Sequence, residues 1–594
     1  MNQDNKTVLV TGSGTGIGQA VARKFAKLGY NIIILGRRKE PLIEASEILN
    51  KIIKKEGHNT TVKYYPGIDV ADEEGINGLF DKIKIDFGKI DIVVNNAGVS
   101  GPVKIFTNTS YQDFKECVSI HLTGTFWTSI KSLESLKTNG KIITISTFFT
   151  EENKFEQRPY RFRTPYTAAQ GAKNRLVEAL AWELVEKDIK SIGTNPGPVH
   201  SDRIYKTVYP KAAAEFLRIG GFRGLTNKQI ENATVALLPF LGENKDIIEN
   251  EARKIAEKII IEENNDSSPD VEKYQEILLK LMEKVQEIAE KVQSNTKKMI
   301  VNKEFLSQDD VAEMVYILST ESISKLINGK IIPNDGVFYP VKPIVNRNID
   351  IDLNLSIEEN IILITTTTDD VTDLDIIKKI AEKINQAKVK QIIILTHKNE
   401  LSDKSKEIFK AFHHHSIDFE SEEALKRIFN TIKTHFGKID STIHFTGSYD
   451  YNKDITTFSR IEWDRLVNKF INIPHLITRE SVLSMATQEA LEYPSKFKDS
   501  VGNIILIGPD APVGEKIEGK IKARSEIFRG VLRPYITTAN QELHDVLNSK
   551  INLILILQGS IDGTMSNYNK IENALINLCS QKELKSNSII YINE

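Results

Sequence analysis

The chain has 594 residues, more than one core accommodates, so two α/β domains of roughly 250 residues, or three to four smaller ones, are expected. Lys and Arg number 78 against 80 Asp and Glu, a balance that leaves no basic field and argues against a nucleic-acid partner. Two distant cysteines, Cys117 and Cys579, exclude a disulfide framework and a cysteine metal cluster. No apolar run approaches the roughly 20 residues that span a bilayer. The first strand begins within a few residues of the N-terminus, which leaves no room for a signal peptide. A cytoplasmic protein with no membrane partner is expected.

Val8, Leu9 and Val10 predict a buried strand, and Thr11 to Gly18 a glycine-rich turn. A helix with Ala22, Phe25, Ala26 and Leu28 on its apolar side follows. Strand, turn and helix together predict the first unit of a dinucleotide-binding fold, with a pyrophosphate at the helix N-terminus. The second strand, Asn31 to Leu35, ends in Gly36-Arg37-Arg38. An acidic residue there would bond the ribose hydroxyls of NAD; glycine and arginines leave space and charge for the 2′-phosphate of NADP. A helix through Ala45, Ile48, Leu49 and Ile52 leads to a strand expected to end at Asp69-Val70. Then come Phe87-Gly-Lys-Ile-Asp91 and a buried strand ending in Asn95-Asn96-Ala97-Gly98.

Between Pro198 and Phe305 lie close to a hundred residues, far more than a usual loop. Residues 247 to 261 are helical in pattern. Val271, Tyr274, Leu278, Leu281, Val285, Ile288 and Val292 recur in steps of three and four, an a/d seam. With Glu262 to Pro269 as the turn, a helical hairpin is expected over 247–293, packed on itself or on a second subunit or partner protein.

The second half repeats the first. Phe436-Gly-Lys-Ile-Asp440 matches Phe87 to Asp91, and Glu359 to Ile364, Gln391 to Leu395 and Gly502 to Gly508 fall at corresponding strands. The glycine turn is replaced by Thr365-Thr-Thr-Thr-Asp-Asp370, which puts carboxylates where a pyrophosphate would sit. This half is expected to bind no dinucleotide and to pack like a fixed second subunit. His413-His-His415 is read as a solvated run, because three adjacent side chains cannot all face one ion.

Thr11-Gly12-x-x-x-Gly16-x-Gly18 with Asn95-Asn96-Ala97-Gly98, Gly140 to Thr147, Tyr166, Pro196-Gly197-Pro198-Val199 and Asn328 to Gly336 resembles the short-chain dehydrogenase/reductase superfamily over residues 6 to about 340. The resemblance implies two tandem doubly wound Rossmann-type domains, parallel sheets flanked by helices. Residues 1–346 would bind NADP(H), with an insertion at about 205–303, and 359–594 would be a degenerate copy. It implies hydride transfer to a small-molecule carbonyl substrate. Carried over residue by residue, Thr11, Gly12, Ser13, Thr15, Gly16, Ile17, Gly18, Arg37, Arg38, Asp69, Val70, Asn95, Ala97, Gly98, Pro196, Gly197 and Val199 line the cofactor.

An active member needs a tyrosine that moves the proton, a nearby lysine whose charge assists it, a hydroxyl that orients the carbonyl and an asparagine that relays protons. Tyr166 takes the first place, with Tyr160 competing, and Thr147 with Ser146 the third. The family lysine falls at Gln170 and the family asparagine at His121. Lys173, one helical turn beyond Gln170, is the nearest cation on that helix. The tandem plan, with Ser146-Thr-Phe-Phe149 and Pro196 to Ile204, is similar to the N-terminal half of the bacterial bifunctional malonyl-CoA reductase family. That likeness implies reduction of malonate semialdehyde to 3-hydroxypropionate, with Arg203 on the substrate carboxylate and Arg158, Arg161 and Arg163 crowding the loop before Tyr166. The alternative is a catalytically impaired nucleotide-binding or scaffold subunit.

Overall fold

The computed structural model describes residues 5–150, 156–157, 161–199, 204–263, 270–336, 342–343, 357–447, 449–512, 517–560, 568–580 and 589–592. The first half is built on β1 (Thr7–Thr11), β2 (Asn31–Gly36), β3 (Val62–Pro66), β4 (Ile90–Asn95), β5 (Leu136–Ile145), β6 (Lys190–Pro196) and β7 (Ile331–Asn334). They form one parallel sheet in the order β3-β2-β1-β4-β5-β6-β7. The order reverses direction between β1 and β4, which opens a crevice at the carboxyl ends of those strands. β1 is buried at all five positions, as a strand covered on both faces must be, so it reads as a continuous apolar run rather than an alternating one.

The second half repeats the plan with β8 (Ile361–Thr366), β9 (Gln391–His397), β10 (His413–Ile417), β11 (Ser441–Phe445), β12 (Val501–Ile507), β13 (Lys550–Ser560) and β14 (Ile589–Ile592). Its sheet runs β10-β9-β8-β11-β12-β13, with β14 beside β13. The expected pair of doubly wound parallel sheets is therefore present. Among the described residues no helix is long and apolar enough to cross a membrane.

Eight helices shape the crevice, the insertion and the contact between the halves: α1 (Gly16–Lys27), α2 (Thr164–Glu183), α3 (Tyr209–Gly220), α4 (Asn227–Leu237), α5 (Lys245–Glu263), α6 (Val271–Lys298), α7 (Val371–Asn385) and α8 (Gly519–Gln541). Helices α5 and α6 form the expected hairpin; residues 264–269 of its turn lie outside the described residues. Leu278, Leu281 and Val285 of the seam are fully buried, in a core shared with Ala213 of α3, Ile230 of α4 and Ala252 of α5. The apolar face of α6 is thus covered within the chain.

Two local expectations are corrected. Leu28 is 40% exposed, because it is the residue that ends α1 and points past the packed face. The third strand ends at Pro66, short of Asp69: Gly67 then takes a φ of +77°, which turns the chain. The three histidines at 413–415 lie on an edge strand, with His413 and His415 exposed and His414 Nε2 2.9 Å from Thr396 Oγ1.

The halves meet through α2 and α8, and their apolar residues form one continuous core. The flanking helices add stacked rings, Phe126 on Trp463 and Phe114 on His475, each pair with centroids 3.7 Å apart. At the crossing, glycines bring the two helix backbones together. A Cβ on Gly171 would overlap the carbonyl oxygen of Gly530 and stand 2.6 Å from Pro534 Cγ. Gly171→Ala is therefore expected to lower the unfolding free energy by about 1–3 kcal/mol. Urea unfolding that shows a loss under about 0.5 kcal/mol, the scale of a neutral surface change, would mean that the helices separate freely.

Candidate active site

The glycine turn is held rigid by its neighbours. Thr11 Oγ1 accepts from the backbone N–H of Asn96 (3.0 Å) and of Ala97 (2.9 Å), and donates to Val94 O. Asn96 Nδ2 donates back to the carbonyls of Thr11 and Gly12. Ser13 Oγ donates to Val10 O and accepts from Leu35 N. Asn95 Nδ2 donates to Ser129 Oγ. Thr11, Ser13 and Asn95 thus spend their side chains on the frame, and Asn96 is a brace that the sequence motif contains without revealing its role.

What remains open is the stretch Gly14 to Ile17. Thr15 is exposed, and a Cβ on Gly16 would meet nothing within 4 Å. At Gly18, by contrast, a Cβ would stand 2.5 Å from Asn96 Nδ2 and from Gly12 O, so only glycine lets helix and turn approach so closely. Helix α1 has no acidic residue in its first turn, and Thr15 makes no side-chain cap. Its positive end is left free for an anion. Arg37 and Arg38 are exposed at the end of β2. Arg37 Nη1 lies 3.6 Å from Asp69 Oδ2, so the two mark one rim of the crevice, with buried Val70 behind them. On the far side, Pro196 ends β6. Gly197 passes so close to Asp335 that a Cβ would be 2.7 Å from its Cα, and Val199 bridges to Leu306. Arg158, Tyr160 and Arg203 lie outside the described residues.

Gly98 carries the crevice to the second group of residues: a Cβ there would stand 2.5 Å from His121 Cε1. His121 sits in a single wide helical turn, Ser119–Thr123. Its Nε2 is 2.8 Å from Val99 O, and its Nδ1 3.2 Å from Gln170 Nε2. This assigns the proton to Nε2 and makes Nδ1 the acceptor of the Gln170 amide. The other end of that amide, Oε1, accepts from Ser146 Oγ at 3.1 Å. A run of oriented hydrogen bonds therefore links Ser146, Gln170, His121 and Val99, all buried or half-buried. The Thr147 hydroxyl makes no hydrogen bond among the described residues, which leaves it free for a ligand.

Tyr166 is half-buried on the first turn of α2. His121 meets its ring edge-on, centroids 5.0 Å apart at 90°. The Arg163 guanidinium lies 4.3 Å from the centroid of the Tyr166 ring. Lys173 is 1% exposed, one turn below Gln170, and no hydrogen bond or ion pair among the described residues joins it to Tyr166. Burial pulls its ammonium down to about 7. Arg161 pairs instead with Asp545, at 3.1 Å. The contact of Arg163 with Tyr166 follows from their spacing of three on a helix start, a signal that the sequence carries. The Gln170–His121 bond joins residues 49 apart and has no local signature.

The equivalent turn in the second half is filled by its own side chains. Asp370 caps α7 through Thr372 N (2.7 Å). Asp369 binds Arg465 and Lys469, both at 2.9 Å. Burial alone would raise the Asp369 carboxyl, but these cations hold it below its ordinary value. His444 is buried against Thr365 Oγ1 at 2.8 Å. Among the described residues, no cluster of His, Cys, Asp or Glu has the makings of a metal site.

Comparison with known proteins agrees with this geometry. The family model described as short chain dehydrogenase matches residues 6–209. Glucose 1-dehydrogenase 2 of Bacillus subtilis (strain 168) is 30% identical over 200 residues, 33% of this chain and 73% of that protein. The 3-oxoacyl-(acyl-carrier-protein) reductase FabG of Aquifex aeolicus (strain VF5) is 32% identical over 201 residues, 33% of this chain and 75% of that protein. Among solved structures, the C-domain of bacterial malonyl-CoA reductase with NADP superposes with a TM-score of 0.70 at 14% identity, covering 99% of this chain and 98% of that one. The N-domain gives 0.66 at 14% identity, covering 99% and 97%. The tandem architecture is thus shared with both domains of that enzyme, not with the N-terminal half alone.

Proposed function

The chain belongs to the short-chain dehydrogenase family of oxidoreductases, and from that premise we propose that its first half uses NADP(H) to reduce a small carbonyl compound. The observation that carries this reading is the meeting of Tyr166 and His121, with Ser146 tied to His121 through Gln170, beside an open, rigid glycine turn at the carboxyl ends of one sheet. The residues fit the cofactor: Gly14 to Ile17 and the first turn of α1 would hold the pyrophosphate, and Arg37 with Arg38 the 2′-phosphate. Both superposed domains of malonyl-CoA reductase were solved with NADP, which supports the same choice. The cofactor, when bound, supplies the hydride.

The chain's own residues do the rest. Tyr166 Oη gives its proton to the substrate oxygen as charge develops there. Thr147, whose hydroxyl is unengaged, orients the carbonyl. Arg163 places a permanent positive charge against the tyrosine ring, where the usual lysine is replaced by neutral Gln170. Gln170, held by Ser146, fixes His121 edge-on to the ring, which keeps Tyr166 in place, and solvent returns the proton to its Oη. Lys173 is a second candidate for the cation, set deeper on the same helix; contact with the ring favours Arg163.

We take malonate semialdehyde as the substrate, with 3-hydroxypropionate as product and Arg203 as the partner of its carboxylate. The test is loss of NADPH absorbance with malonate and succinate semialdehydes offered in turn, with faster turnover expected on the first. NADPH binding without oxidation by any aldehyde would instead support a nucleotide-binding scaffold, which the neutral Gln170 favours.

The cofactor choice has its own check. NADPH is expected to bind more tightly than NADH, and Arg37→Ala to remove most of the preference. A charge-assisted hydrogen bond is worth about 1.5–3 kcal/mol. Since Arg37 is half exposed, the lower end is expected, about a tenfold change in relative affinity. Equal affinities in the unaltered protein, measured by titration calorimetry, would refute the assignment.

A further inference from the structure

One carboxylate crosses from the second half into the frame of the site. Glu542 follows the last residue of α8 and is fully buried. Its Oε1 accepts from Phe162 N at 2.7 Å and from Thr164 Oγ1 at 3.0 Å; its Oε2 accepts from Phe106 N at 2.7 Å. Phe162 and Thr164 flank Arg163, the residue whose guanidinium rests on Tyr166. The backbone here is strained: Phe162 has φ +60°, a conformation that a bulky residue adopts only when its surroundings impose it. The start of α2 also lacks a cap of its own. Its N-cap residue, Arg163, offers no side-chain acceptor, and the first turn holds no acid. Glu542 stands in for the missing cap: its carboxyl oxygens face the Phe162 N–H and the Thr164 hydroxyl at the helix start.

We propose that Glu542 is a positioning residue for the first-half active site: by gripping both sides of Arg163 it fixes the guanidinium over Tyr166, so that the degenerate half takes part in catalysis by shaping the complete one. This rests on the reading that Tyr166 moves the proton and Arg163 assists it. Burial drives the Glu542 carboxyl up to about 8, while its three donors favour the charged form.

The test is a double-mutant cycle on the full chain, with NADPH and the semialdehyde that it reduces. Glu542→Gln keeps the shape but turns one acceptor into a donor facing Phe106 N. It is expected to lower kcat at least tenfold and to leave the KM for NADPH within twofold, since the glycine turn is untouched. In an Arg163→Met background the same change is expected to have little further effect, because it acts through the residue already removed. Additive losses in kcat, or a fall in NADPH affinity that matches the fall in kcat, would show a general structural role and overturn the proposal. Full activity of Glu542→Gln would overturn it as well. Should Glu542→Gln fail to fold, Glu542→Asp, which keeps the carboxyl and shortens the reach, enters the same cycle under the same criteria. Tyr166→Phe separates the two levels: if that variant retains activity, the proton-transfer reading fails, whatever Glu542 does.

Discussion

Tyr166→Phe is expected to lower kcat by roughly 10²–10⁴-fold, the range seen when a positioned acid is removed from a proton transfer. The change deletes one oxygen and leaves the ring in place, so the contacts with Arg163 and His121 persist. NADPH affinity should therefore hold, because the residues proposed to bind it lie on α1 and at the end of β2. The measurement is steady-state turnover beside a binding titration on the same preparation. Turnover within threefold of the unaltered protein would remove Tyr166 from the mechanism and bring Tyr160 forward. Collapse of both turnover and binding would point to damage of the helix start instead.

The second large effect concerns the two cations. Lys173→Met is expected to stabilise the protein, while Arg163→Met is expected to disable it. Lys173 is fully buried, without a hydrogen-bonded or paired partner among the described residues, and burial depresses its ammonium from 10.5 to about 7. In the unfolded chain the amine stays protonated up to about 10.5. Between the two values the unfolded state binds the extra proton, so the native state gains stability as pH rises from about 7 toward 10.5. Below about 7 the native state carries the full cost of a buried charge, on the order of 5 kcal/mol. An unbranched apolar side chain of similar length removes that cost. The advantage of Lys173→Met should be greatest at pH 6–7 and shrink steadily above it, as read by urea unfolding at a series of pH values. A gap that widens with pH would contradict the sign. On turnover, Arg163→Met should cost about a hundredfold and Lys173→Met less than tenfold. The reverse ranking would return the catalytic charge to Lys173.

Much of this protein is written locally. Val8 to Val10, Asn31 to Leu35 and Glu359 to Ile364 read as buried strands because a parallel sheet covered on both faces asks only for consecutive apolar residues. Gly12, Gly16 and Gly18 mark the turn because no other residue fits its φ angles and its approach to Asn96. The repeat of Phe87 to Asp91 at Phe436 to Asp440 announces the second sheet, and the steps of three and four along Leu278, Leu281 and Val285 announce α6. Each signal is a relation between near neighbours, set by the two periodicities of the backbone. The sequence could not place the end of the third strand, since Tyr65 to Asp69 carries no apolar pattern and Gly67 alone turns the chain.

Tertiary structure decided the rest. Gln170 stands where an ammonium was expected, and only the fold brings it between Ser146 and His121. The a/d seam on α6 fits a partner helix of any origin, and the chain's own α3 and α4 cover it. Arg158, Arg161 and Arg163 are equivalent by spacing, yet Arg161 binds Asp545 while Arg163 turns to Tyr166. Glu542 lies 380 residues from Phe162 in sequence, so no periodicity or motif links them. Those contacts form because α2 and α8 cross at a pair of glycines and bury one shared core, and that crossing sets which polar groups of the two halves must satisfy each other away from water.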